Sequence, residues 1–99
     1  MKKLEITYEI TAGIPFKWEY EIKDKSIVKF IKNYVVKDYN EEGALCGAPV
    51  IINYVFKGLK EGETTIIFKL VNFADNYETK REKYKVKVDK DLNISLIEN

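Results

Sequence analysis

The sequence predicts an all-β protein, an antiparallel sandwich of seven to eight strands. Three observations carry that prediction. Apolar and polar residues alternate with a period of two along most of the chain, no stretch shows the apolar period of a surface helix, and clusters of Gly, Pro, Asn and Asp interrupt the alternation about every ten residues.

The first run sets Leu4, Ile6, Tyr8 and Ile10 against Lys3, Glu5, Thr7 and Glu9, one apolar and one polar face of a strand. Thr11-Ala12-Gly13-Ile14-Pro15 is a Gly/Pro connection, after which Phe16, Trp18, Tyr20 and Ile22 alternate with Lys17, Glu19, Glu21 and Lys23. Asp24-Lys25-Ser26 reads as a turn. Ile27 to Lys37 is too β-branched and aromatic for a helix and reads as one long strand, bulged near Asn33. Asp38 to Pro49 loses the alternation and gathers Gly, Asn and Pro, the composition of a surface loop. A strand resumes at Val50 with Ile52, Tyr54 and Phe56, turns through Gly58 to Gly62, and continues from Thr64 to Val71 with Ile66, Phe68 and Leu70 on one face. Asn72 to Glu82 is polar and reads as a connection. Tyr84, Val86 and Val88 alternate with Lys83, Lys85 and Lys87, Asp89-Lys90-Asp91 turns, and Leu92, Ile94 and Leu96 form the last strand. Strands of this number and length match an immunoglobulin-like sandwich. Its expected core draws on Trp18, Tyr20, Phe30, Tyr54, Phe56, Ile66, Phe68, Tyr84 and Val86.

Ninety-nine residues fit a single domain spanning 1–99, and 45% apolar with 33% charged residues excludes disordered and low-complexity classes. Seventeen basic against sixteen acidic residues give a charge of +1, which supplies no counterion-release term for nucleic acid. Met1-Lys2-Lys3-Leu4-Glu5 begins basic with no apolar stretch behind it, so neither a signal peptide nor a membrane partner is expected. A trimmed chain would read the same, which leaves the compartment open.

The chain holds no His and one Cys, so no imidazole base, no Cys/His zinc set and no internal disulfide is expected. No cofactor, no metal and no enzymatic activity follow. Cys46 has no neighbouring base and reads as a small loop residue rather than a nucleophile. Glu41-Glu42 and Asp89-Lys90-Asp91 lie in turns, where charge is ordinary. Asn93-Ile94-Ser95 is a glycosylation triplet only in a secretory setting. Lys83, Lys85 and Lys87 read as a solvated strand face, and Trp18 as a core anchor.

Three connections remain unusual. Thr11 to Pro15, Leu45 to Pro49 and Val71 to Tyr77 mix Gly, Pro and apolar residues that are costly to expose without purpose, and a sandwich connected in this order gathers them at one end.

Thr11-Ala12-Gly13-Ile14-Pro15-Phe16-Lys17-Trp18 stands in register with Asn-Pro-Thr-Thr-Gly-aromatic-x-Trp, keeping the aromatic and the Trp. Gly47-Ala48-Pro49-Val50 stands where a Gly-x-Gly-Gly signature precedes an aromatic-Lys-small-Leu turn, here Phe56-Lys57-Gly58-Leu59. Val71-Asn72-Phe73-Ala74 stands where Arg-Pro-Trp is expected, with one aromatic kept. From Thr11 to Leu70 the sequence thereby resembles the chagasin-type inhibitors of papain-like cysteine peptidases. The resemblance implies an immunoglobulin-like fold, a papain-like cysteine peptidase as partner, and three loops that occlude its active-site cleft. Carried over by position, the contact residues are Gly13, Ile14, Pro15 and Phe16 in the first loop, Gly47, Ala48, Pro49 and Val50 in the second, and Asn72 and Phe73 in the third. A monomer is expected. The alternative is a non-inhibitory immunoglobulin-like structural or adhesion-type module, and a third reading is a sandwich that self-associates through an edge strand.

Overall fold

The computed structural model describes residues 2–11, 13–38 and 49–98. Among them lie seven strands: β1 (Leu4–Thr11), β2 (Phe16–Ile22), β3 (Val28–Asp38), β4 (Pro49–Gly58), β5 (Gly62–Asn72), β6 (Tyr77–Val88) and β7 (Ile94–Glu98). One sheet has the order β1-β4-β3 and the other β2-β5-β6-β7, all pairs antiparallel. This is the expected β-sandwich.

Alternation decides what each sheet buries. Leu4, Ile6 and Tyr8 of β1, Tyr54 and Phe56 of β4, Ile66 and Phe68 of β5, and Val86 and Val88 of β6 form one apolar layer with Ile22, Ile27, Val28 and Ile94. Phe68 is its centre, with ring centroids 4.8 Å from Tyr8, 5.1 Å from Tyr54, 6.0 Å from Phe56 and 5.9 Å from Tyr84, mostly edge-on as ring quadrupoles prefer. Gly58 lets β4 pass close to β6. A Cβ there would meet Val88 Cγ1 at 2.5 Å and the Leu92 carbonyl oxygen at 3.1 Å.

Of the expected core, Phe56, Ile66, Phe68, Val86 and Tyr54 are buried, while Trp18, Phe30 and Tyr84 are half-buried against it. Tyr20 is corrected: it is 39% exposed. Its strand β2 is the outer edge of its sheet, so the ring stacks on Phe30 at 4.6 Å in the opening between the sheets and keeps one face in water. Burial also occurs where alternation assigns solvent. Ile67 on the outer face of β5 is buried, in register with Glu21 on one side and Lys83 on the other, while Lys69 reaches Glu21 at 3.3 Å beside it. Long charged side chains of this kind cover apolar surface with their stems.

Two boundaries also differ from the sequence reading. β3 carries register shifts at Phe30/Lys32 and at Val35/Lys37, bracketing Asn33 rather than falling on it. The polar stretch from Asn72 to Glu82 is mostly strand, since β6 starts at Tyr77. β7 pairs only with Lys85 to Val88, so the first half of β6 is a free edge exposed on both faces, and no burial is there to write an apolar rhythm. Asn93 of the glycosylation triplet is half-buried, its side-chain oxygen accepting the Lys2 backbone N–H at 2.6 Å.

Candidate functional site

The β1–β2 connection and the β5–β6 hairpin meet at one end of the sandwich. Phe16 opens β2 opposite Asn72, the last residue of β5, and the Phe73 N–H donates to the Pro15 carbonyl at 2.8 Å. The β4 start lies beside them, because Thr11 is paired with Pro49 and Ile10 with Val50. Proline suits that first strand position, where a ladder donor is dispensable. Gly13, Ile14, Pro15, Phe16, Pro49, Val50, Asn72 and Phe73 are thus brought together, while Gly47 and Ala48, like Cys46, lie outside the described residues.

Local chemistry fixes both described turns. Gly13 sits at φ 86°, a conformation L side chains rarely adopt, with open space where a Cβ would stand. Below it the Trp18 ring stacks on Tyr8 at 4.0 Å and its indole N–H donates to the Glu9 carbonyl at 3.3 Å, clamping β1 to β2 under the loop. In the hairpin, the Asn72 side-chain oxygen accepts the Ala74 N–H at 3.0 Å, Asp75 accepts the Tyr77 N–H at 3.2 Å, and Asn76 takes the left-handed conformation at φ 57°. Asn and Asp are the residues for such turns. The hairpin loop is only Phe73 to Asn76, shorter than the sequence reading of Val71 to Tyr77, because Val71, Asn72 and Tyr77 stay in the ladder.

These turns present apolar groups on rigid supports. Ile14, Phe73 and Tyr77 are exposed, Phe73 by 53% and Tyr77 by 66%. Ile14 and Phe16 line a shallow groove of about 300 Å³ with Glu9, Ile10, Thr11, Leu70 and Thr79. No charge falls between Gly13 and Phe16 or between Asn72 and Ala74. Beyond the tip, the Arg81 guanidinium donates twice to Glu78 at 2.9 Å and holds that carboxyl below its usual range. Among the described residues no cluster could hold a metal ion. This arrangement can fill a cavity or cover a surface.

The chain matches the family described as Chagasin family peptidase inhibitor I42 over residues 2–88. It belongs to the chagasin family. No curated protein and no solved structure matches it. Chagasin-family proteins are inhibitors of cysteine peptidases, not enzymes. That assignment fits an end that exposes Ile14 and Phe73 on its turns. The sequence reading places Tyr77 in the third connection without naming it a contact residue, yet among the described residues it is the most exposed of the large apolar ones. Its one signal is an aromatic set in a polar stretch beside a turn. The chagasin-family match ends at Val88, before β7.

Proposed function

We propose that this protein inhibits papain-like cysteine peptidases by seating the Gly13–Phe16 turn, the start of β4 and the Asn72–Phe73 hairpin in the active-site cleft. The observation that supports the reading most is the Phe73–Pro15 backbone bond, which joins two of the three segments into one unit with Ile14 and Phe73 exposed beside it. A unit held this way loses little conformational entropy on docking. Inhibition is by occlusion. Apolar tips fill substrate pockets, no scissile bond is offered to the catalytic thiolate, and the inhibitor does no chemistry. The protein acts as a monomeric single domain, and neither nucleic acid nor membrane has a part. An interface near the usual size of about 1,600 Å² is within reach of three such segments.

The test compares Ile14→Asp with Lys85→Glu in their effect on papain's cleavage of a small peptide. Both variants should keep the wild-type thermal midpoint. Ile14→Asp takes an unpartnered carboxylate into a desolvated cleft and should weaken inhibition at least a hundredfold, since such burial costs several kcal/mol. Lys85 is exposed on β6, and Lys85→Glu should leave inhibition unchanged. Failure of the wild type against a panel of papain-like peptidases would hand the role to the adhesion-type alternative.

A further inference from the structure

Resting on the inhibitory reading, we infer that the bulged end of β3, Tyr34-Val35-Val36, is a fourth part of the peptidase-binding surface and packs against one wall of the cleft. Three consecutive residues are exposed here, Val35 and Val36 by 55% each and Tyr34 by 44%. An apolar run of this length in water marks a contact site or an error. Its place favours the first. Asp38 at the end of β3 is paired with Val50, which is paired on its other side with Ile10, so the run flanks the β4 start on the side away from β1. Val36 is two residues, roughly 7 Å, behind the Asp38–Val50 pair. A wedge entering a cleft presents its flank to a wall at that depth.

The backbone selects the kind of occupant. β3 is an edge strand, and an edge with exposed apolar residues invites a second strand, but the register shifts at Phe30/Lys32 and Val35/Lys37 break the regular row of free backbone groups such a strand needs. What remains is side-chain contact with a surface of another shape. Tyr34 is held on its own sheet. Its hydroxyl donates to Glu5 Oε1 at 3.2 Å and accepts from Asn53 Nδ2 at 2.9 Å, and Lys32 Nζ lies 5.6 Å from its ring centroid.

The experiment measures Ki against papain, thermal midpoint and elution volume for wild type, Val36→Lys and Val35→Lys. Each Lys variant should raise Ki about tenfold, the loss typical of an interface residue that matters, at unchanged midpoint and elution volume. Wild-type inhibition with Ki shifts under twofold in both variants overturns the inference and leaves the loop reading standing. An oligomer that the variants dissolve would make the run a self-association surface and also overturns it. Absence of wild-type inhibition overturns both readings. Should the variants fail to fold, amide exchange of the wild type decides: residues 34–36 gain protection in the peptidase complex, or the inference falls.

Discussion

Trp18 lies on an alternating row that sequence alone assigns to the interior, yet its ring is only half-buried, stacked on Tyr8 near the loop end of β2. Alternation reports which face a residue takes, not how far along the strand the opposite sheet reaches. Nor does it report where the strand stands in its sheet: Tyr20 fails as a core residue because β2 is an edge, while Phe56 and Phe68, in central strands, are fully buried. The half-burial sets a magnitude. Trp18→Ala should cost about 2–3 kcal/mol, below the roughly 3–5 of a fully buried aromatic. Trp18→Phe keeps the stacking and loses only the bond to the Glu9 carbonyl, a cost of about 1 kcal/mol. Urea midpoints followed by circular dichroism measure both, and equal costs would show that the indole N–H, not the ring, secures the loop.

β6 is the element sequence reading served least well. Its second half carried the signal, Tyr84, Val86 and Val88 against lysines, but Tyr77 to Lys83 is an uncovered edge whose charges mask a strand. Charged edges of this kind resist pairing with other chains. The turn between β5 and β6 lies inside the connection read from the sequence as Val71 to Tyr77, whose extent is overdrawn at both ends. The first turn is legible because Gly13 and Pro15 break the alternation and Trp18 restarts it; the connection read at Leu45 to Pro49 lies mostly outside the described residues. The Phe73–Asn76 turn depends on Asn76 in the left-handed region. Asn76→Gly should leave stability nearly unchanged, while Asn76→Val should lose about 1–2 kcal/mol, the cost of a side chain at positive φ. A urea midpoint for each variant is the check.

Across the molecule, titration brackets the range in which the fold is stable. On the acid side Asp24, Glu78 and Asp89 are held below their ordinary values, by Ser26, by the Arg81 guanidinium and by backbone N–H groups of Asn93 and Asp91 respectively. Carboxylates with lowered values add stability that is complete above their unfolded pKa near 4 and lost as pH falls through the folded value. On the alkaline side burial raises Tyr8, Tyr54 and Tyr84 above 10, and the Tyr8 and Tyr84 hydroxyls are bonded to each other. A raised phenol binds its proton more tightly when folded, so its contribution is whole below pH 10 and lost as pH rises beyond, where the unfolded chain releases protons the native one retains. Urea midpoints should therefore be flat from about pH 5 to 9 and fall on both sides. Tyr8→Phe should flatten the alkaline limb.

The chain's single tryptophan is the residue that clamps the first turn, its indole stacked on Tyr8 and half-buried. Indole emission depends on the water around the ring. Excited at wavelengths that spare tyrosine, the protein emits from one place alone, the foot of the Gly13–Pro15 loop, and so carries its own optical probe of whatever settles over that loop, with no label attached and no residue replaced.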